Sequence, residues 1–330
     1  MSAEVLNQPP EPLFDPSNPG ASMDQINRLV LPIHGRILSG QSFGDMPSKI
    51  SGHGYEFEGV REYVPGDDAR HVDWPTTVRQ SPHQLMVREH FEDVSPAEWL
   101  VTDSIQGRHR VNPGQSGFSE QELALSAATC FMMLARREGM PVGMVAANDT
   151  QIIRSKGTPK QGKKHILHLG NQLINHADGS ETGIPAEERP ALATLLKKTG
   201  ELASRNLVVV VSDFRDVFDP AEEENGWLNP MREIRHNNND IIAVELTNPW
   251  DSKVPENVDR LRIDGKTIWI GGKDRPQIVA NYEYKMAQQQ KNIDNGLKAA
   301  KATHIKLSTD NPRWFTSLRE QLLRAKKHKH

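Results

Sequence analysis

The sequence predicts an α/β protein: a mostly parallel sheet with helices on both faces, preceded by a small β-containing subdomain. Three observations lead there. From Glu98 onward, short apolar runs alternate with segments of helical period, the pattern of parallel strands joined by crossover helices. Leu207-Val-Val-Val-Val-Ser-Asp213 is a continuous β-branched run, which suits a strand buried on both faces. Before Glu98 the texture differs: between Gly52 and Trp74, glycines, aromatic rings and opposite charges crowd together as nowhere else in the chain.

Residues 1–22 are rich in proline, asparagine and acids without apolar periodicity, and read as a tail. Residues 23–96 form the first subdomain, with a helix expected over 24–38 despite Pro32, and a glycine- and serine-bearing loop over 39–54. Alternation over 55–63 predicts a strand, and Val64-Pro-Gly-Asp67 a turn. Asp67 or Asp68 is placed to cap a short helix running towards Trp74, and a second strand is expected over 84–91. The α/β region spans 97–326. Its first strand covers 99–103, followed by a helix over 119–138 opened by a capping box, Ser119 with Glu122. A strand pair over 141–147 and 151–154 turns at Asn148-Asp149, and helices follow over 163–175 and 187–203. Beyond the valine run come a helix (231–236), a strand (241–246) and a hairpin (261–263 with 267–270, turning at Asp264-Gly265). A long helix (277–301), a strand (303–307) and a closing helix (312–326) complete the chain.

A chain of 330 residues has ample length for a buried core. Its net charge of −3, with charges spread along the chain, gives no overall basic field, so nucleic acid is not the expected partner. Cys130 is the single cysteine, and no stretch of about 18 apolar residues occurs, so the expected setting is cytoplasmic, with no membrane-spanning segment.

Phe57, Arg61, Tyr63, Pro65, Gly66, Asp67, Asp68, Arg70, Asp73, Trp74 and Arg79 follow the pattern E-F-x-x-x-R-x-Y-x-P-G-D-D-x-R-x-x-D-W, in which acids and guanidiniums interleave. This resembles the signature of the bacterial domain-of-unknown-function family 58, over roughly residues 30 to 320. The resemblance implies a von Willebrand factor A-like domain after the signature. It also implies partnership with MoxR-type AAA+ ATPases, which act as chaperones in maturing or assembling envelope and other client proteins. The expected role is a non-catalytic adaptor or co-chaperone, cytoplasmic or peripheral to the inner membrane through its partners.

In open α/β sheets, ligands bind beyond the carboxyl ends of the strands where strand order reverses. Two strands here end in aspartate, Asp103 and Asp213. In the family region a metal-ion-dependent adhesion site holds magnesium through a D-x-S-x-S loop, a threonine and a second aspartate. Asp103, Thr182 and Asp213 match three of those positions. The loop itself reads Asp103-Ser-Ile-Gln-Gly107, which loses both hydroxyl positions, so the site is degenerate. An alternative of another class is a metal-dependent hydrolase using Asp67, Asp68, His71 and Asp73. Cys130 sits on an apolar helix face and reads as core; His165 and His168, three residues apart on one helix, lack an accompanying acid or thiolate. Neither standard glycine-rich phosphate loop is present, so ATP is not expected to bind this chain.

Overall fold

The computed structural model describes residues 51–65, 69–80, 84–91, 96–103, 119–148, 151–155, 158–175, 191–203, 205–215, 226–254, 256, 260–263 and 266–327. These fall into two compact units that part between Pro96 and Ala97. The readings over 1–22 and 24–38 lie outside the described residues, as do Gly66, Asp67, Asp68 and Thr182.

In the first unit, β1 (Ser51–Glu62) pairs antiparallel with β2 (Met86–Phe91). The strand begins inside the segment expected to be loop. Its register slips between Gly52 and Phe57 and again between Phe57 and Gly59, an irregular pairing that accommodates the glycines at 52 and 54 within a strand. A 3-10 turn at Ala69–His71 leads to helix α1 (Trp74–Gln80). The 3-10 turn is the short helix expected to run towards Trp74, while α1 is unexpected and is capped by Asp73, whose Oδ1 accepts from Thr76 N at 3.1 Å. Two bonds tie α1 to β2, Asp73 N to Met86 O at 2.7 Å and Met86 N to Thr77 Oγ1 at 3.0 Å. Val72, Met86 and Val87 are the buried apolar residues beneath them.

The second unit runs β3 (Glu98–Thr102), α2 (Glu120–Arg137), β4 (Val142–Ala147), β5 (Ile152–Arg154), α3 (Lys163–Asn175), α4 (Leu192–Leu202) and β6 (Leu207–Ser212). It continues through α5 (Leu228–His236), β7 (Asp240–Thr247), α6 (Pro249–Ser252), β8 (Arg260–Ile263), β9 (Lys266–Trp269), α7 (Arg275–Ala299), β10 (Thr303–Ser308) and α8 (Trp314–Lys327). The sheet order is β10-β7-β6-β3-β4-β5, parallel throughout except for the antiparallel edge strand β5. This is the mostly parallel, helix-flanked sheet expected from the strand and helix alternation, and it is consistent with the von Willebrand A-like domain that the resemblance implies. The valine run lies in the middle, every residue of β6 buried.

Helices cover both faces. Trp99, Val101, Val145, Val208 and Ala243 of the sheet pack with Leu195 and Leu196 of α4, Met231 and Ile234 of α5, and Ile293 and Leu297 of α7. α2, whose Leu123 to Ala135 are all buried, lies on the opposite face against β3, β6 and β7, with α3 beside it. The Ser119–Glu122 capping box forms as the sequence predicts, Glu122 N donating to Ser119 Oγ at 3.1 Å and Ser119 N to Glu122 Oε2 at 2.7 Å. α5 and α7 begin earlier than periodicity indicates because Pro230 and Pro276 occupy first turns, where a missing amide costs nothing. β8 and β9 form a separate hairpin, with Val254 and Ile270 in a small satellite core against Ile278, Val279 and Tyr282 of α7. Among the described residues, no helix is long and apolar enough to cross a membrane.

Candidate functional site: the carboxyl edge of the sheet

β3 and β6 are direct neighbours, Thr102 facing Val211 in parallel register, so Asp103 and Asp213 leave adjacent strands at the same edge. From β3 the chain crosses to β4 on one side, and from β6 it crosses to β7 on the other. The crevice between them is therefore the reversal point at which doubly wound sheets take ligands.

The β6 end is a braced corner. Asp213 is buried, and its Oδ1 accepts from Arg215 N at 3.1 Å, while Ser212 Oγ accepts from Phe214 N at 3.0 Å. Phe214 itself takes φ of 54°, a left-handed conformation costly for a residue with a Cβ. It is held there by complete burial, by edge-on packing against Trp227 at a centroid distance of 5.3 Å, and by a bond from Trp227 Nε1 to Phe214 O at 3.2 Å. Gln289 Nε2 on α7 adds a bond to Arg215 O at 3.4 Å. Asp103 is half-buried. The arrangement sets two carboxylates at one edge of the sheet, Asp103 half-buried and Asp213 buried with Oδ1 already engaged by its own loop; Thr182 and the rest of the degenerate loop lie outside the described residues.

The signature residues occupy the first unit. Asp73 pairs with Arg88 Nε at 2.9 Å, and that hydrogen bond, reinforced by Thr76 N, holds its carboxyl below the usual carboxylate range. Arg88 lies outside the signature, on the facing strand, and nothing in the spacing of the motif points to it. One member of the proposed acid cluster is thus committed to capping and pairing. Arg61 is half-buried with Nη1 bonded to Glu62 O at 2.9 Å, and Tyr63 is half-buried with its amide bonded to Leu85 O at 2.8 Å. Pro65, Arg70, Trp74 and Arg79 are exposed, Trp74 by 61% of its surface. Phe57 lies in the irregular part of β1.

A further cluster escaped sequence reading. Glu245, between Val244 and Leu246 of β7, is fully buried, with Oε2 2.6 Å from His304 Nε2 on β10 and Oε1 accepting from Gln290 Nε2 of α7 at 2.7 Å. Ligand atoms of Glu245, Asp294 and His304 lie within 4.8 Å of one another, a spacing a cation can bridge. Lys306 Nζ already fills that role, 2.8 Å from Asp294 Oδ1 and 3.6 Å from Glu245 Oε2, so the cluster reads as an internally neutralised network. His165 Nε2 is occupied by Val142 O at 2.9 Å, while His168 is exposed. Cys130 is buried in α2, and desolvation pushes its thiol well up, away from nucleophilic use.

The family model described as "Protein of unknown function DUF58" matches residues 59–292, from the first strand of the signature unit into α7. The chain belongs to the DUF58 family. Uncharacterized proteins of Mycobacterium bovis and Mycobacterium tuberculosis are 28% identical to this DUF58 chain over 222 residues. The match covers 66% of this chain and 63% of theirs, less than two thirds of the relatives' length. Among solved structures, this DUF58 protein is similar to the conserved hypothetical protein BatB from Bacteroides thetaiotaomicron, at a TM-score of 0.41 and 12% identity, covering 70% of this chain and 99% of that one. An aerotolerance-related membrane protein from Bacteroides fragilis gives a TM-score of 0.37 at 12% identity, covering 69% and 99%. The pilus adhesin SpaC from Lactobacillus rhamnosus GG gives 0.40 at 10%, covering 72% and 31%.

Proposed function

We propose that this DUF58 protein is a non-catalytic interaction module, an adaptor or co-chaperone that works in the cytoplasm with a MoxR-type AAA+ ATPase in maturing or assembling client proteins. The observation that carries the reading is the placement of Asp103 and Asp213 on neighbouring strands at the reversal point of the sheet, beside a corner braced by Phe214 and Trp227. A fixed pair of acids favours a partner's basic or amide-bearing surface, and rigidity lowers the entropy that binding must overcome. The signature unit, with its exposed Trp74, offers a second surface. ATP hydrolysis is assigned to the partner.

The test is co-purification with a MoxR-type ATPase from the same genome. The expected result is co-elution and a changed rate of ATP hydrolysis, both lost in an Asp103→Asn/Asp213→Asn double variant that melts like the wild type. Co-elution that survives the double variant would place the contact elsewhere. Neither co-elution nor altered hydrolysis with wild-type protein would end the reading.

A further inference from the structure

The overall charge balance hides one local imbalance. Between Thr150 and Ala177 the sequence contains Arg154, Lys156, Lys160, Lys163 and Lys164, three histidines, and not one acid. The fold gathers the described members of this run on the β5 margin of the sheet. Arg154 ends β5 opposite Val145, and Lys160 forms an isolated antiparallel bridge with Val142, three residues earlier on β4. Their backbones are thus about 10 Å apart along one strand edge, at about 3.3 Å per residue. Gly162, at φ of 104°, then turns the chain directly into α3, whose first two residues are Lys163 and Lys164. His168 stands one turn beyond Lys164 on the same helical face.

Arg154, Lys160, Lys163, Lys164 and His168 are all exposed, and among the described residues none of these side chains makes an ion pair. The placement runs against helix electrostatics: lysines in the first turn of a helix meet the positive end of its dipole, where acids are preferred. An edge lysine also guards a strand against unwanted pairing, which accounts for Lys160 but not for two further cations at the helix start. The patch lies at the β4–β5 margin and near the amino end of β4, whereas Asp103 and Asp213 lie at the carboxyl edge, so the two surfaces are separate.

We propose that this margin is a docking surface for an acidic segment of a partner polypeptide. Charge complementarity selects a polyanion. The extent selects a short one, since about 15 Å of cations matches four or five residues of extended chain at about 3.3–3.6 Å each. A nucleic acid is the poorer fit: no phenylalanine, tyrosine or tryptophan stands within the run to stack on a base, and a longer polyanion would meet a chain of net charge −3. A nucleotide is a poorer fit still, because Lys164 follows Gly162-Lys163 where a phosphate loop carries serine or threonine for magnesium.

The test uses the full chain and a fluorescent peptide of about ten glutamate and aspartate residues. Binding is expected at about 0.1 M salt and absent at about 1 M, where the screening length falls to about 3 Å. The variant Lys160→Gln/Lys163→Gln/Lys164→Gln is expected to bind about tenfold more weakly, the loss of three exposed charge pairs. Its melting point is expected to equal or exceed that of the wild type, since cations leave a helix start; a scaffold role for the lysines would lower it. Equal peptide binding by variant and wild type overturns the proposal. So does tighter wild-type binding of phosphatidylserine vesicles or of a single-stranded oligonucleotide of equal charge.

Discussion

Glu98 opens β3 at the centre of the sheet, 1% exposed, with Oε1 buried and without a hydrogen-bond partner among the described residues. Desolvation pushes its carboxyl from 4.5 up to about 8, so at neutral pH the folded protein holds it protonated. In the unfolded chain the same group ionises near its ordinary value. Between pH 4.5 and 8 the unfolded state therefore binds fewer protons, and stability falls as pH rises, levelling off above the folded value. At about 1.4 kcal/mol per pH unit, the penalty is about 3 kcal/mol at pH 7 and about 5 kcal/mol above pH 8. Glu98→Gln keeps the shape and removes the titration, at the expense of burying an amide that costs about 1 kcal/mol. The variant should be more stable than the wild type by about 2 kcal/mol at pH 7, a melting-point rise of roughly 4–8 °C for a unit of this size. The advantage should vanish, or reverse slightly, near pH 4.5. Differential scanning calorimetry from pH 4.5 to 9 reads the effect directly. Parallel melting curves of wild type and variant across that range would refute the reasoning, because they would mean that Glu98 is solvated or paired in the folded state.

Gly296 lies against Trp227, and a Cβ there would stand 2.7 Å from Trp227 Cη2, while the indole is anchored by its bond to Phe214 O. Gly296→Ala should destabilise the second unit by about 1–3 kcal/mol in denaturant titration and perturb tryptophan fluorescence, since neither ring nor helix can yield cheaply. His304→Leu removes one hydrogen bond from the fully buried Glu245 carboxylate, leaving Gln290 and Lys306, and should cost about 1–3 kcal/mol by the same measurement. Asp73→Asn should lower amide-exchange protection over α1 and at Met86. In the wild type, the support from Asp73 should be present above the ordinary carboxylate value and be lost as pH falls from there through its depressed folded value, because Arg88 favours the charged form.

What sequence reading captured were features that depend on neighbours in the chain. The capping box at Ser119, the buried valine strand and the hairpin of β8 with β9 all follow from local spacing, and all are present. Alternation alone does not order the strands; neighbouring positions for Asp103 and Asp213 follow only from the order that the von Willebrand A-like resemblance implies, and β3 does lie beside β6. Residues whose meaning depends on distant partners were harder. Asp73 finds Arg88 fifteen positions away on β2, beyond α1, and Glu245 finds His304 fifty-nine positions away on a neighbouring strand. Glu98 reads as a polar strand boundary, yet the flanking strands at Val142 and Leu207 bury it. The basic margin around α3 was visible in the composition of a short window and disappeared when charges were summed over the whole chain. The irregular start of β1 shows the limit of glycine as a loop signal, since slipped pairing tolerates it.

The central strand is the first of its sheet to be synthesised, and its second neighbour is made long afterwards. Ala97, at the foot of β3, donates to the side chain of Asn206, 109 residues further along, and β3 has β6 as its flank on that side. At translation rates of about 5–20 residues per second, β3 waits about 5–20 s for that neighbour to be made. For those seconds an apolar ribbon has an unfilled edge, so nascent chains of this protein should depend on ribosome-proximal chaperones more than helical proteins of equal length do, and slower codons between the two strands would lengthen that exposure.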